Sequence, residues 1–353
     1  AVDRALEHAL ERNSTENTKK VIAYGTALGY GHLTVDQVEK ELRSRDNVIY
    51  STEHTIEKLT TKELVAEEDR MIEMAVAGKG QFPALNKDYI PQATYLNGQQ
   101  QDAIKELLSS YDQTVILHGS AGVGKTTLLT EVRKGAASAG RELIAVAPSS
   151  QASAVLAEKG FQSTTVASLL TNKQLQQQLQ HNVLLIDEAG MCGVRSMSRL
   201  LELGKKHNSR IILSGDTQQN GPPAQYGDSL RILKEQANLK VVIVDKILRQ
   251  KDPSYNRAVT DIAKGNLAKG YKSLDKQGKV KEIGDHEERV VKIAEDYADT
   301  LDRKESVIVV SPTHFEGDKI NEAIRSKLKE KGRIKGKEQV FEVLRDLSFT
   351  NAQ

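Results

Sequence analysis

The stretch that most constrains this 353-residue chain is Gly119-Ser120-Ala121-Gly122-Val123-Gly124-Lys125-Thr126, a full match to Gly-x4-Gly-Lys-Ser/Thr. It lies between an apolar run, Val115-Ile116-Leu117, and a helical pattern that begins near Lys125. A strand–loop–helix step of this kind leaves few architectures open. The glycines let backbone N–H groups wrap a β-phosphate, and the helix N-terminus adds its positive end. Gly119, Gly122 and Gly124 shape the expected nucleotide loop, with Lys125 reaching the β- and γ-phosphates and the Thr126 hydroxyl ligating Mg²⁺.

The surroundings agree with that step. Leu143–Val146, Val183–Ile186 and Ile211–Leu213 are short apolar runs bounded by glycine or turn residues and separated by helical stretches. They predict a parallel sheet buried on both faces, with helices covering it. Val241–Val244 continues the series and Val307–Val310 follows much later. Residues 1–92 read differently. Helices are expected over Val2–Leu10, through Val21–Tyr24 and, with Thr34 as N-cap, over Val38–Leu42. Two short strands, Asn47–Tyr50 and His54–Ile56, follow, and the order suggests a small winged-helix-like module. Thr60-Thr61-Lys62-Glu63 has capping-box character for a helix running to Ala77, and Pro83–Pro91 reads as a linker.

Composition narrows the function classes. Lys plus Arg is 50 and Asp plus Glu is 48, a net charge of +2 that excludes a polycationic tail but leaves room for a local basic path. The single cysteine, Cys192, excludes an intrachain disulfide and a thiolate zinc site, and favours a reducing, cytoplasmic setting. No apolar run approaches the roughly 20 residues that span a bilayer. Trp is absent, so base stacking would fall to Tyr226, Phe161 or Phe315, each read as core.

Two more segments carry chemistry. The run Val183–Ile186 ends in Asp187-Glu188, and adjacent carboxylates at the end of a buried strand are costly unless they face a cation or solvent. On a strand next to the phosphate loop, Asp187 would hold Mg²⁺ and Glu188 would orient and deprotonate the attacking water. Ile211–Leu213 ends in Ser214-Gly215-Asp216-Thr217-Gln218-Gln219, where a polar side chain lies beside the γ-phosphate.

The order of these motifs resembles superfamily 1B helicases. Leu96-Asn97-Gly98-Gln99-Gln100 is similar to their adenine-reading Q motif, Gly119–Thr127 to motif I, and Val146-Ala147-Pro148-Ser149 to motif Ia. Thr165-Val166-Ala167-Ser168-Leu169-Leu170 resembles the element that follows. Asp187–Met191, Gly215–Gln219 and Ile247-Leu248-Arg249-Gln250 are similar to motifs II, III and IV. Ser311-Pro312-Thr313-His314 looks like the first step after the second-domain boundary. The series as a whole is similar to the RecD-like helicase part of conjugative relaxase–helicases of the F-plasmid type, the MobF class.

That resemblance implies a P-loop NTPase of RecA-like fold, driven by ATP and Mg²⁺, that moves 5′-to-3′ on single-stranded DNA. It assigns Gln100 and Thr127 to the nucleotide, and Lys125, Glu188, Gln219 and Arg249 to catalysis, with Arg249 facing the γ-phosphate across a cleft. It places DNA over Pro148, Ser149, Thr165, Ser168, Thr313 and His314. The stretch between Glu158 and Asp187, free of Asp and Glu, suits that path. The basic run Arg325, Lys327, Lys329, Lys331, Arg333, Lys335 and Lys337 reads first as a solvated helix face. The implied domains are 1–92, a complete RecA-like domain over 93–240, and part of a second over 241–353. The family's later motifs are missing, which implies a segment of a larger polypeptide whose partners are a relaxase domain and conjugation machinery. A RecD-like repair helicase, a DNA-binding module without hydrolysis and a nucleotide switch acting on protein remain the alternatives.

Overall fold

Five of the apolar runs become strands of one six-stranded parallel sheet. The computed structural model describes residues 1–336 except 121, 218–220, 223–224 and 247–251. Seven elements come first: α1 (Val2–Leu10), β1 (Glu16–Asn17), α2 (Thr18–Leu28), α3 (Val35–Arg43), β2 (Val48–Glu53), β3 (Ile56–Thr61) and α4 (Lys62–Ala77). Next are α5 (Gly98–Ser109), β4 (Thr114–His118), α6 (Lys125–Ala137), β5 (Leu143–Ala147), α7 (Ser150–Glu158), β6 (Gln162–Thr165), α8 (Val166–Thr171) and α9 (Lys173–Gln177). The sheet is completed by β7 (Val183–Ile186), α10 (Val194–Lys206), β8 (Arg210–Gly215), α11 (Ser229–Gln236) and β9 (Lys240–Ile243). Its order is β6-β5-β7-β8-β4-β9.

Period-two alternation sends each strand's residues to two separate cores. Ile116, Ile144, Val146, Leu184, Ile186, Ile211 and Leu213 face one layer of helices, which includes Leu169 of α8 and Met197 and Leu200 of α10. Val115, Leu117, Ala145, Leu185 and Ile212 face the other, packing on Ile104, Leu107 and Leu108 of α5 and Leu128 and Val132 of α6. The sixth strand, β6, is polar because it is an edge, where one side needs no apolar cover.

Two expected boundaries move. The helix α4 belongs by packing to the sheet, since its Met71 and Ala75 are buried in the first core. The boundary expected at 240/241 lies at 251/252, because β9 pairs in register with β4 and cannot leave the sheet. The helix–strand–helix–helix–strand–strand order before α4, with the antiparallel sheet β1-β3-β2, is that of a winged-helix module. Its core is Ala5, Leu6, Val21, Val38, Leu42 and Leu59.

The local chemistry explains smaller differences. His54 and Thr55 form the hairpin turn at φ 45° and 70°, so the second strand starts at Ile56. Thr34 and Gln37 close a capping box, and α3 therefore begins at Val35. Thr61, not Thr60, caps α4 by accepting from Leu64 N–H, and Glu63 instead binds Asn47. Two arginines at the end of α3 are ion-paired: Arg43 with Glu39 and Glu57, and Arg45 with Asp3 and Glu41. Among the contacts that pin the linker after α4 to the sheet domain are those of two buried side chains. Arg210, buried, donates to the carbonyls of Ser110 and Pro83, and Glu131 accepts from Tyr89 Oη and Gln92 N–H.

The second unit, from Asp252 onward, contains the helices α12 (Pro253–Ala263), α13 (Leu267–Lys276), α14 (His286–Asp302) and α15 (His314–Glu330). α14 and α15 share Val290, Ala294, Ile320 and Ile324. Val307–Val310, expected as a strand, has no strand partner among the described residues. Ile308 and Val310 are 88% and 87% exposed. An apolar run becomes a strand only where a neighbour takes its N–H and C=O groups.

Removing the side chain at the centre of the sheet tests this packing. Ile116→Ala should cost about 2–5 kcal/mol in urea unfolding followed by circular dichroism, and Val155→Ala, half exposed on α7, less than about 0.5 kcal/mol. Equal effects would contradict the two-core description.

Candidate functional site

The phosphate loop is fixed from both ends. His118, the last residue of β4, is aligned with Gly215 of β8, and Gly119 N–H donates to the Gly215 carbonyl at 3.1 Å. A Cβ on Gly119 would lie 2.5 Å from the Val244 carbonyl, so glycine is required where β9 crosses behind the loop. Gly122 and Gly124 both have φ 83°, a left-handed conformation that favours glycine. Val123 between them is fully buried in the second core and anchors the loop. Lys125 opens α6 and turns its Nζ back to the Gly119 and Ser120 carbonyls, at 2.5 and 3.4 Å. Those carbonyls hold the ammonium where a phosphate would otherwise engage it. Thr126 and Thr127 follow in the first turn of α6, at the positive end of its dipole.

The carboxylates approach from β7, and here the sequence reading needs correction. β7 is not adjacent to β4, because β8 stands between them. That inserted strand supplies a bridge: Ser214 Oγ donates to Asp187 Oδ1 at 2.8 Å. One carboxylate oxygen is thereby held, and the other is left for a cation. Among the described residues no group of three or more His, Cys, Asp or Glu could hold a metal alone. A carboxylate and a hydroxyl are the protein share that Mg²⁺ takes when phosphates and water complete its shell, so Asp187 with Thr126 fits this ion.

Glu188 follows at φ 51°, ψ 41°, a left-handed conformation that costs a side-chain-bearing residue roughly 1–2 kcal/mol. Burial, and then the neighbouring Asp187, push its carboxyl above the ordinary range, against the pull of Lys125. A carboxylate of raised basicity at this place is suited to take a proton from water. Beside it, His118 Nε2 lies 3.1 Å from Thr217 Oγ1, and burial, with Lys234 and Lys125 nearby, keeps the imidazole below its usual range despite Asp216. The ring is therefore neutral near pH 7 and ties the start of the phosphate loop to the segment that leads on to Gln219. Neither Ser214 nor His118 stood out as a functional residue; both adjoin motifs, but their roles depend on strand order.

Gln100, expected to read adenine, is instead 2% exposed. Its Oε1 accepts from Asn97 N–H in a capping box, and its Nε2 donates to the Val123 carbonyl at 3.0 Å. A helix start and the phosphate loop both use it. Gln219 and Arg249 lie outside the described residues.

The residues expected at DNA are helix caps. Ser149 accepts from Ala152 N–H at the start of α7, Thr165 from Ser168 N–H at α8, and Thr313 from Glu316 N–H at α15. Pro148 and Ser149 border a cleft of about 390 Å³ between α8 and α10, lined also by Val166, Leu170, Met191 and Arg199. No Asp or Glu is among its described lining residues. Thr313 and His314 line a separate hollow in the second unit with Ser311 and Asn321. The basic run is largely neutralised: Lys331 pairs with Asp299 and Asp302, Arg333 with Asp302, and Lys327 with Glu330. Lys337 lies outside the described residues. Phe161 and Tyr226 are core, as expected, but Phe315 is exposed with Lys319 Nζ 4.9 Å from its ring. Cys192 is buried, and burial pushes its thiol up to about 12.

The AAA domain family matches residues 95–285. A probable conjugal transfer protein TraA of Sinorhizobium fredii is 25% identical over 306 residues, 84% of this chain and 27% of that protein. The conjugal transfer protein TraA of Agrobacterium fabrum is 25% identical over 69% of this chain and 22% of its own length. The multifunctional conjugation protein TraI of Escherichia coli is 28% identical over 183 residues, 49% of this chain and 10% of its own length. The chain thus spans about a quarter of the length of the TraA relatives it matches.

Glu188 and Ser214 give separable expectations. A carboxyl whose folded value is raised contributes stability below its unfolded value and loses it as pH rises through the folded one. Glu188→Gln should therefore melt above wild type at pH 8 and with it at pH 4, while hydrolysis drops about 10²–10⁴-fold. Coincident melting curves at pH 8 would contradict the burial of this charge. Ser214→Ala should leave the melting temperature within a few degrees and raise the Mg²⁺ concentration needed for half-maximal hydrolysis; an unchanged requirement would remove the bridge.

Proposed function

The chain belongs to the AAA domain family, and we propose that it is the ATP-driven motor segment of a conjugative relaxase–helicase of superfamily 1B, moving 5′-to-3′ on single-stranded DNA. The observation that carries this reading is the convergence of Lys125, the Ser214-held Asp187 and Glu188 on one edge of the sheet. The loop N–H groups and Lys125 hold the phosphates of ATP. Thr126 and Asp187 would hold Mg²⁺, which would supply positive charge against the phosphates. Glu188 takes a proton from the attacking water as its oxygen bonds to the γ-phosphorus, and the bond to the β–γ bridging oxygen breaks to release ADP. Gln219 senses the γ-phosphate, and Arg249 stabilises the charge that develops there, an effect worth about 10³–10⁵ in rate.

Single-stranded DNA crosses the caps Ser149 and Thr165 with Pro148 and Ser168, and Thr313 and His314 of the second unit are proposed as DNA contacts of their own. A capping hydroxyl accepts from the backbone with its lone pair and keeps its own proton to donate. Ser149 has that proton free for a phosphate oxygen, and Thr165 passes its proton to Ser168 Oγ, which leaves Ser168 as donor. The carboxylate-free cleft beside them supports the same path. A binding module without hydrolysis would have no use for a strained, basic Glu188. The relaxase domain, the remainder of the second RecA-like domain and the conjugation machinery are the proposed partners, and the cytoplasm is the proposed location. No helix among the described residues is long and apolar enough to cross a membrane.

ATP hydrolysis with and without single-stranded DNA tests the motor. DNA should stimulate it, and Lys125→Ala should abolish it; hydrolysis indifferent to both would sink this function. Oligonucleotide affinity should fall with salt on a log–log plot with a slope of about −0.7 per phosphate contact. A flat line would remove the phosphate-gripping path.

A further inference from the structure

Gln99, Gln100 and Gln101 each make a side-chain hydrogen bond within the protein. Gln100 is buried, with Oε1 on Asn97 N–H at 3.1 Å and Nε2 on the Val123 carbonyl. Gln99 holds the segment after β9: its Nε2 donates to Asp245 Oδ1 at 2.9 Å, and its Oε1 accepts from Asp245 N–H and Lys246 N–H. Gln101 Nε2 donates to the Leu96 carbonyl at 3.2 Å. Each amide thus ties a backbone group of the site to α5. Turning Gln100 outward to meet a base would strand the Val123 carbonyl and the Asn97 N–H, both of which shape the site. Nδ2 of Asn97, which has no hydrogen-bond partner, is shut away from solvent. It is also only a donor, and the N7 acceptor it could meet is common to adenine and guanine.

We propose that the glutamine run braces the phosphate loop instead of reading a base, so that the site takes purine and pyrimidine nucleoside triphosphates alike, by their phosphates. This rests on the nucleotide reading of the loop above. Gln100 is then a positioning residue: it holds Val123, the buried anchor between the two left-handed glycines. Sites built to hydrogen-bond a substrate group reject analogues that lack it by about 10⁴–10⁵-fold, and a site gripping only phosphates has no such lever.

The test is competition of ATP, GTP, CTP and UTP, with Mg²⁺, against a fluorescent ribose-labelled ATP on the whole chain. In wild type the four inhibition constants should agree within about tenfold. Gln100→Ala should weaken all four by a common factor of about tenfold, with their ratios unchanged. Gln99→Ala, further from the loop, should also leave the ratios unchanged. A wild-type preference for ATP beyond tenfold overturns the inference, as does a ratio that either substitution moves by more than tenfold. If Gln100→Ala does not fold, the wild-type and Gln99→Ala ratios decide. Lys125→Ala separates the two levels: binding of all four triphosphates unaffected by it would sink the nucleotide site itself. Binding lost with it, but selective for ATP in wild type, would sink only the base tolerance.

Discussion

The register between β4 and β8 is the constraint on which the site depends. It sets His118 beside Gly215 and lets Gly119 N–H reach the Gly215 carbonyl, and the β7–β8 register on the other side of β8 brings Ser214 level with Asp187. A slip of one residue would turn Ile116 and Leu213 out of one core and Leu117 and Ile212 out of the other. Two dry cores therefore guarantee a polar edge. The proposed chemistry needs a lysine and two carboxylates at fixed separations, and a doubly buried parallel sheet sets them, with Ser214 holding Asp187 by a side-chain hydrogen bond.

The same seam explains why part of the site was legible in the sequence and part was not. Gly119–Thr126 and Asp187-Glu188 are local: strand, turn and helix signals within a few residues of each other announce them. Strand order is not local. Nothing in Val183–Ile186 tells that β8 will stand between it and β4, so the bridge from Ser214 could not be seen. Gln100 is a related case. The motif marks where a glutamine sits, and only the fold shows that its amide bonds Asn97 and Val123. The basic run after Arg325 looked like a charge surplus along the chain, yet its neighbours in space are the acids of α14. Val307–Val310 has the composition of a strand and has no strand partner among the described residues.

The N-terminal module shows the limit of reading a surface from a fold. Its element order is that of a winged helix, which often presents its third helix to DNA. Here that helix carries Asp36, Glu39 and Glu41, and its arginine is engaged by carboxylates. The hydroxyl-bearing caps of the sheet domain are better placed to meet a polyanion. Near-neutral net charge is thus the sum of an acidic helical module, ion-paired helices in the second unit and one carboxylate-free cleft.

The solitary thiol of Cys192 has a practical corollary. It is enclosed between the end of β7 and α10, and is held protonated at any ordinary pH. Maleimides and other thiolate-seeking reagents will pass it by, so a cysteine introduced on the surface becomes the single reactive handle of the chain. Dyes or spin labels could be attached to either unit without first stripping the given sequence of competing thiols.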